Sequence, residues 1–279
     1  MIFANGGTSM ITFDPSRCIG CGKCAWDCFP GAITIENKLA TLTAPANCIG
    51  CGHCIAVCPM GAVSDPDLPG DDVQPLPSEH NPEALLRTMR ARRSCRHYTD
   101  QPVTQQELST LLSAARACPT AKNLQGTRYI SVTKSIPALL DAALDALGYV
   151  GTMQLKTATD PGELRRARNF IAWQQTRKED KTFDPLFFHA PQLLMFVSDK
   201  ADARDSAAAA AYAELMAAEL GLGCLYSGYF TACCAGSKDI QTILGLKDNE
   251  QVVRCLVLGH PDVKFRRTAP RKPVSLTEL

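Results

Sequence analysis

The sequence predicts an α+β chain built from a small, cysteine-dense N-terminal domain and a larger domain in which helix outweighs strand. Three observations predict it. A cysteine motif occurs twice between Cys18 and Cys58, a proline-rich stretch follows, and residues 83–279 then mix amphipathic helical segments with three short apolar runs.

The repeat comes first. Residues 18–34 read CIGCGKCAWDCFPGAIT and residues 48–64 read CIGCGHCIAVCPMGAVS, so all four cysteines align at an offset of thirty residues. Of fourteen cysteines, the other six (Cys95, Cys118, Cys224, Cys233, Cys234 and Cys255) are scattered. A secreted disulfide scaffold spreads its cysteines more evenly through a smaller chain; this clustering points to metal and to a reducing cytoplasm. Zinc sites rarely show the doubled C-x2-C-x2-C-x3-C spacing, which instead fits two 4Fe–4S clusters. Three thiolates two residues apart wrap one cluster, and the fourth points away to ligate the other. Cluster one is then expected on Cys18, Cys21, Cys24 and Cys58, and cluster two on Cys48, Cys51, Cys54 and Cys28. Gly20, Gly22, Gly50 and Gly52 let the backbone bend and aim N–H groups at sulfur. Cys58 precedes Pro59, whereas Cys28 precedes Phe29; Phe29 or Trp26 is expected to shield that cluster or alter its potential. Ile33–Leu42 reads as a short hairpin. Two clusters in so small a domain form a wire for electrons, and a wire needs an acceptor.

Residues 65–82 hold five prolines and little apolar content, which predicts a linker and two domains, 1–75 and 76–279. Beyond it, Leu85, Leu86 and Met89 share one face of a helix over 82–91. Thr104 to Glu107 reads as a capping box opening a helix that runs to about Ala117. Further helices are expected over 136–147, 163–177 and 203–220. The last is alanine-rich and suits a core or a dimer seam. Buried strands are expected over 128–132, 192–197 and 251–258. The end, 261–279, lacks periodicity and reads as an arm lying on another surface. With 29 basic and 28 acidic side chains, no net field favours nucleic acid or a membrane surface. No apolar run is seen that approaches a membrane span, and the start shows no secretory pattern.

Arg92-Arg93-Ser94-Cys95-Arg96 places three arginines in five residues, which suits an anion such as phosphate. Taken alone the run is more often a solvated surface. Three further segments follow in order: Cys118-Pro119-Thr120-Ala121-Lys122-Asn123-Leu124-Gln125; Gly221-Leu222-Gly223 continuing to Tyr226-Ser227-Gly228; and Leu258-Gly259-His260-Pro261 with Arg271-Lys272-Pro273 in the arm. With these four motifs, residues 83–279 resemble the nitroreductase family of FMN enzymes. The whole chain resembles its branch with an N-terminal two-cluster ferredoxin domain. The resemblance implies a central, mostly antiparallel sheet flanked by helices, and a homodimer. It also implies FMN contacts: Arg92 and Arg271 on the phosphate, with Arg93 in the same basic run; Ser94 on ribityl or phosphate; Arg96 near the flavin pyrimidine edge; Asn123 on the isoalloxazine; Pro119 and Thr120 against the ring; and Tyr226, Ser227 and Gly228 approaching through backbone. Cys118 and Tyr226 depart from the family's usual residues, which bears on substrate preference.

The function expected is an FMN-dependent reductase of a small organic acceptor (nitroaromatic, quinone or activated alkene). It would be fed through two 4Fe–4S clusters by a low-potential donor such as ferredoxin. The flavin N5 would carry the chemistry, and no side chain is nominated as catalytic. A specialised reductive or dehydrogenating flavoenzyme and a non-catalytic electron relay or redox sensor are the alternatives. The segment from Tyr149 to Pro191 is the expected substrate lid.

Overall fold

Each copy of the cysteine repeat builds the same loop and the same short helix. A glycine at positive φ opens each helix: Gly22 (φ 77°) before α1 (Lys23–Trp26) and Gly52 (φ 74°) before α2 (His53–Val57). Only glycine takes this conformation without strain. In this computed structural model, residues 11–66, 68, 70, 73–199 and 203–279 are described. They fall into two units. The first comprises the described residues up to His80 together with Thr120–Gln125; the second is Asn81–Pro119 with Gly126–Leu279.

In the first unit, β1 (Thr12–Phe13) pairs antiparallel with β4 (Val63–Ser64), and β2 (Ile33–Glu36) pairs with β3 (Leu39–Leu42). Asn37 and Lys38, both at positive φ (50° and 64°), turn the β2–β3 hairpin, as the primed two-residue turns require. Ile11, Cys24, Ile33, Ala40, Cys54 and Val63 form the core. The linker expected over 65–82 falls partly on residues 67, 69, 71 and 72, and the chain start on residues 1–10, which lie outside the described residues.

The second unit is a four-stranded antiparallel sheet between two layers of helix. Its strands are β5 (Arg128–Val132), β6 (Gln192–Asp199), β7 (Gly223–Tyr226) and β8 (Glu250–Gly259), in spatial order β5-β6-β8-β7. β6 alternates its side chains between two cores. Leu193, Met195 and Val197 face α5 (Ile136–Thr157), α8 (Gly228–Gly236) and α9 (Lys238–Ile243). Leu194 and Phe196 face α4 (Gln105–Arg116) and α7 (Arg204–Glu219). Because both faces are covered, β6 is buried along nearly its whole length, and reads as a continuous apolar run.

Several expectations change here. The helix expected to stop at Leu147 runs on to Thr157. Gly148 and Gly151 do not end it; they let α6 (Pro161–Glu179) approach. A Cβ on Gly151 would stand 2.5 Å from Ala167 O, and one on Gly148 would collide with Gln174. Arg177 Nε donates to Asp141 at 2.7 Å and Gln174 to Asp145 at 2.8 Å, pinning the pair. This makes α5 the one helix among the described residues long and apolar enough to cross a membrane by length and composition, contrary to the sequence reading. Its polar pins to α6 are those of a helix packed within a fold. The supposed lid segment is therefore mostly these two helices. Of the alternatives for the alanine-rich helix, the core is what is seen: Ala209, Ala210, Ala213 and Ala217 are fully buried against the sheet. By contrast, Leu85, Leu86 and Met89 on α3 (Pro82–Ala91) stay exposed in the single chain. The glycine-rich stretch after α7 supplies β7, too short for its pattern to show.

Candidate functional site

Two cavities open in the first unit. One is lined by Cys18, Cys21 and Cys24 together with Cys58. The other is lined by Cys48, Cys51 and Cys54 together with Cys28. Each fourth cysteine thus crosses to the opposite repeat. A single zinc would draw four sulfurs to within about 2.3 Å of one point. Four cysteines from both repeats around each cavity suit a polynuclear group such as a 4Fe–4S cluster. Cys28 Sγ accepts the Ala32 N–H and Cys58 Sγ the Ala62 N–H, each at 3.3 Å, the kind of bond that tunes a cluster's potential. Burial raises the Cys24 thiol and pushes Cys54 up to about 12, so a metal must displace protons to bind here. Neither Trp26 nor Phe29 lines a cavity. Both are exposed in the single chain, 85 % and 96 %.

In the second unit three motif segments converge at one end of the sheet. Gly223 and Gly259 face each other across β7 and β8, and residues 94–99 lie over them. Ser94 bridges Cys224, Cys95 N–H donates to Cys224 O at 2.9 Å, and Tyr98 bridges Pro261. A Cβ on Gly223 would sit 2.7 Å from Cys95 Sγ, and one on Gly259 2.8 Å from the Tyr98 ring and 2.7 Å from Pro191 Cδ; the segment presses on both glycines, with Pro191 adding to it at Gly259. Beside the crossing, Arg92 is half-buried and its Nη1 donates to Glu214 on α7 at 2.7 Å. Arg93 and the exposed Arg96 have no ion-pair partner among the described residues. Arg96 stands 5.8 Å from the centre of the Phe188 ring. Ser94 is exposed. An unpaired Arg93 guanidinium beside the exposed Ser94 hydroxyl suits a phosphate.

From β7 the chain passes through Tyr226, half-buried with its phenol raised chiefly by burial, to Ser227. The Ser227 hydroxyl donates to Leu186 O at 3.3 Å. Gly228 then opens α8, whose first N–H groups lack intrahelical acceptors. The loop that accepts the Ser227 hydroxyl is itself fixed. Asp184 accepts the N–H groups of Leu186, Phe187 and His189, and Phe188 and His189 both lie at positive φ.

Residues 89–260 match the nitroreductase family, and residues 12–64 match a 4Fe–4S dicluster domain. The chain belongs to the nitroreductase family. Its fold is similar to a nitroreductase with bound FMN from Bacteroides fragilis NCTC 9343, with TM-score 0.54 at 20 % identity over 71 % of this chain and 100 % of that one. It is similar to one with bound FMN from Desulfitobacterium hafniense DCB-2, with TM-score 0.51 at 20 % identity over 72 % and 100 %. It is also similar to an FMN-dependent nitroreductase from Clostridium difficile R20291, with TM-score 0.51 at 16 % identity over 71 % and 100 %. None of the curated proteins matches in sequence.

The remaining residues of the family pattern fall in both units. Pro119 is exposed at the end of the α4 segment. Thr120 and Asn123 belong to the first unit, in a short loop where Lys122, Asn123 and Gln125 all take positive φ (55°, 55° and 48°). Thr120 Oγ1 accepts the Gln125 N–H at 3.1 Å. The Asn123 amide lies beside Gly52. Such strain in residues other than glycine collects at functional sites. Arg271 is exposed in the arm and makes no ion pair among the described residues. Sequence reasoning missed Glu214 and the Asp184 loop. An acidic residue on an alanine-rich helix reads as a solvated face, and only the fold brings it to Arg92.

Proposed function

We propose that this nitroreductase is an FMN- and iron–sulfur-dependent oxidoreductase that reduces a small organic acceptor (a nitroaromatic, quinone or activated alkene). The observation that carries the proposal is the joining, in one chain, of two four-cysteine cavities to a nitroreductase domain. Bound FMN would convert single electrons arriving through two 4Fe–4S clusters into a two-electron reduction. Cys18, Cys21, Cys24 and Cys58 would hold one cluster; Cys48, Cys51, Cys54 and Cys28 the other. Arg92, Arg93 and Ser94 would take the FMN phosphate, joined by Arg271 from the arm. Arg96 would place positive charge at the flavin's pyrimidine edge. The free amides opening α8 at Gly228, with Tyr226 and Ser227 before them, would offer backbone donors; Pro119, Thr120 and Asn123 would close on the ring. The donor would be a low-potential one-electron carrier such as ferredoxin, in the cytoplasm, whose reducing conditions suit cluster thiolates and the six cysteines outside the two runs. The exposed apolar face of α3 and the exposed Val274 and Leu276 of the arm support a homodimer.

Anaerobic purification with iron, sulfide and flavin analysis tests the cofactors. A screen of nitro, quinone and enone acceptors with chemically reduced ferredoxin tests the activity. Full loading without turnover would favour a relay, and flavin bleaching by NADPH at turnover rates would overturn the ferredoxin donor.

A further inference from the structure

α3 and α7 meet through two polar contacts one helical turn apart. The Thr88 hydroxyl donates to Glu219, and Arg92 Nη1 donates to Glu214 at 2.7 Å. Arg92 is the last point at which this helix is held before the chain enters the Arg93–Arg96 segment: its own N–H closes α3 on Thr88 O at 3.0 Å. The Glu214 side chain keeps 13 % of its surface exposed and that of Arg92 28 %, so the pair is partly screened from water and directional. A guanidinium carries five N–H donors on two edges. Glu214 takes one from Nη1, which leaves the rest of the fork unclaimed among the described residues. Glu214 also lies near the β7 segment: after burial, its carboxylate is the next influence raising both Cys224 and Tyr226. It therefore stands where the Arg92 segment and β7 come together.

We propose that Glu214 is a positioning residue for phosphate recognition: by holding one nitrogen of Arg92 it aims the remaining donors at the phosphate of the bound flavin nucleotide. The inference rests on the proposed FMN reading and deepens it. A pair that merely joined two helices would matter equally to any flavin. A pair that aims Arg92 matters only to a flavin that carries a phosphate, and riboflavin lacks one.

The test uses the full chain, loaded with iron and sulfide, and measures FMN and riboflavin dissociation constants by flavin fluorescence quenching. Glu214→Gln should weaken FMN about tenfold, the scale of one hydrogen bond to a charged group, while leaving riboflavin binding unchanged, so the preference for FMN falls. Arg92→Ala should lower the same preference, and adding Glu214→Gln to it should lower it no further. If Glu214→Gln fails to fold by far-ultraviolet circular dichroism, Glu214→Asp is read in the same way. A Glu214→Gln protein that keeps the wild-type preference, binds FMN more tightly, or loses as much again in the Arg92→Ala background overturns the inference. A wild-type protein that binds neither flavin overturns the proposed function instead.

Discussion

Gly223→Ala tests whether the crossing of residues 94–99 over the end of the sheet builds the site. Gly223 is not at positive φ, so alanine meets no backbone penalty and the cost is steric. The added Cβ would lie 2.7 Å from Cys95 Sγ, 2.8 Å from Cys95 Cβ and 3.3 Å from Pro261 Cβ. Cys95 has little room to yield. It is 1 % exposed, its N–H is bonded to Cys224 O, and its Sγ donates to His97 O at 3.1 Å. Overpacking of this kind costs about 1–3 kcal/mol. For a unit of this size, that lowers Tm by roughly 2–12 °C. The two tryptophans, Trp26 and Trp173, fall in different units, so a Trp26→Phe background leaves Trp173 to report unfolding of the nitroreductase domain by fluorescence. The strand that must move carries Ser94 and Arg96, so FMN affinity should fall with Tm. Cys95→Gly removes both clashing atoms and should recover much of the loss in the Gly223→Ala protein, although it costs stability alone. An unchanged Tm for Gly223→Ala, or losses that simply add in the double variant, would refute the reasoning.

Three other outcomes are expected. Cys58→Ser should perturb the same cluster as Cys18→Ser, and Cys28→Ser the same one as Cys48→Ser, as seen by electron paramagnetic resonance of the reduced proteins. The Glu107 carboxyl is held below its ordinary 4.5, chiefly by the Thr104 N–H, with the Thr104 hydroxyl and His260 adding to this. A carboxyl lowered by folding stabilises the fold above 4.5 and loses that contribution as pH falls through its folded value; urea midpoints followed into acid should therefore fall less steeply for Glu107→Gln than for wild type. Deleting residues 263–279 should shift the protein towards monomer in sedimentation and weaken FMN, because the arm carries Arg271 and exposed apolar side chains.

Much of both units was legible because its signals are local. The Thr104–Glu107 box closes as its residues dictate, with Glu107 N–H donating to Thr104 Oγ1 at 3.2 Å and Thr104 N–H to Glu107 at 2.7 Å. β5 begins and ends where its apolar run does. The hairpin of β2 and β3 spans the alternating stretch. What misled was local evidence with a distant cause. The helix expected over 136–147 runs on through Gly148 and Gly151, which make room for α6. β7 is four residues long, too short to show a period, and is held by pairing with β8. The apolar stripe of α3 shares one helical face as expected, yet it stays exposed among the described residues.

The sequence by itself determined which chemical groups exist and how near neighbours are spaced: eight cysteines in two equal runs, three arginines around one serine, and glycines where the backbone must bend. The doubled spacing also matches Cys58 with Cys18, Cys21 and Cys24. The tertiary structure alone decided the meetings outside those runs: Arg92 finds a carboxylate on α7, and Cys95 rests on Gly223. Each of these encounters spans tens of residues or more, and close packing of helices and sheet, which no local periodicity encodes, selects the partner.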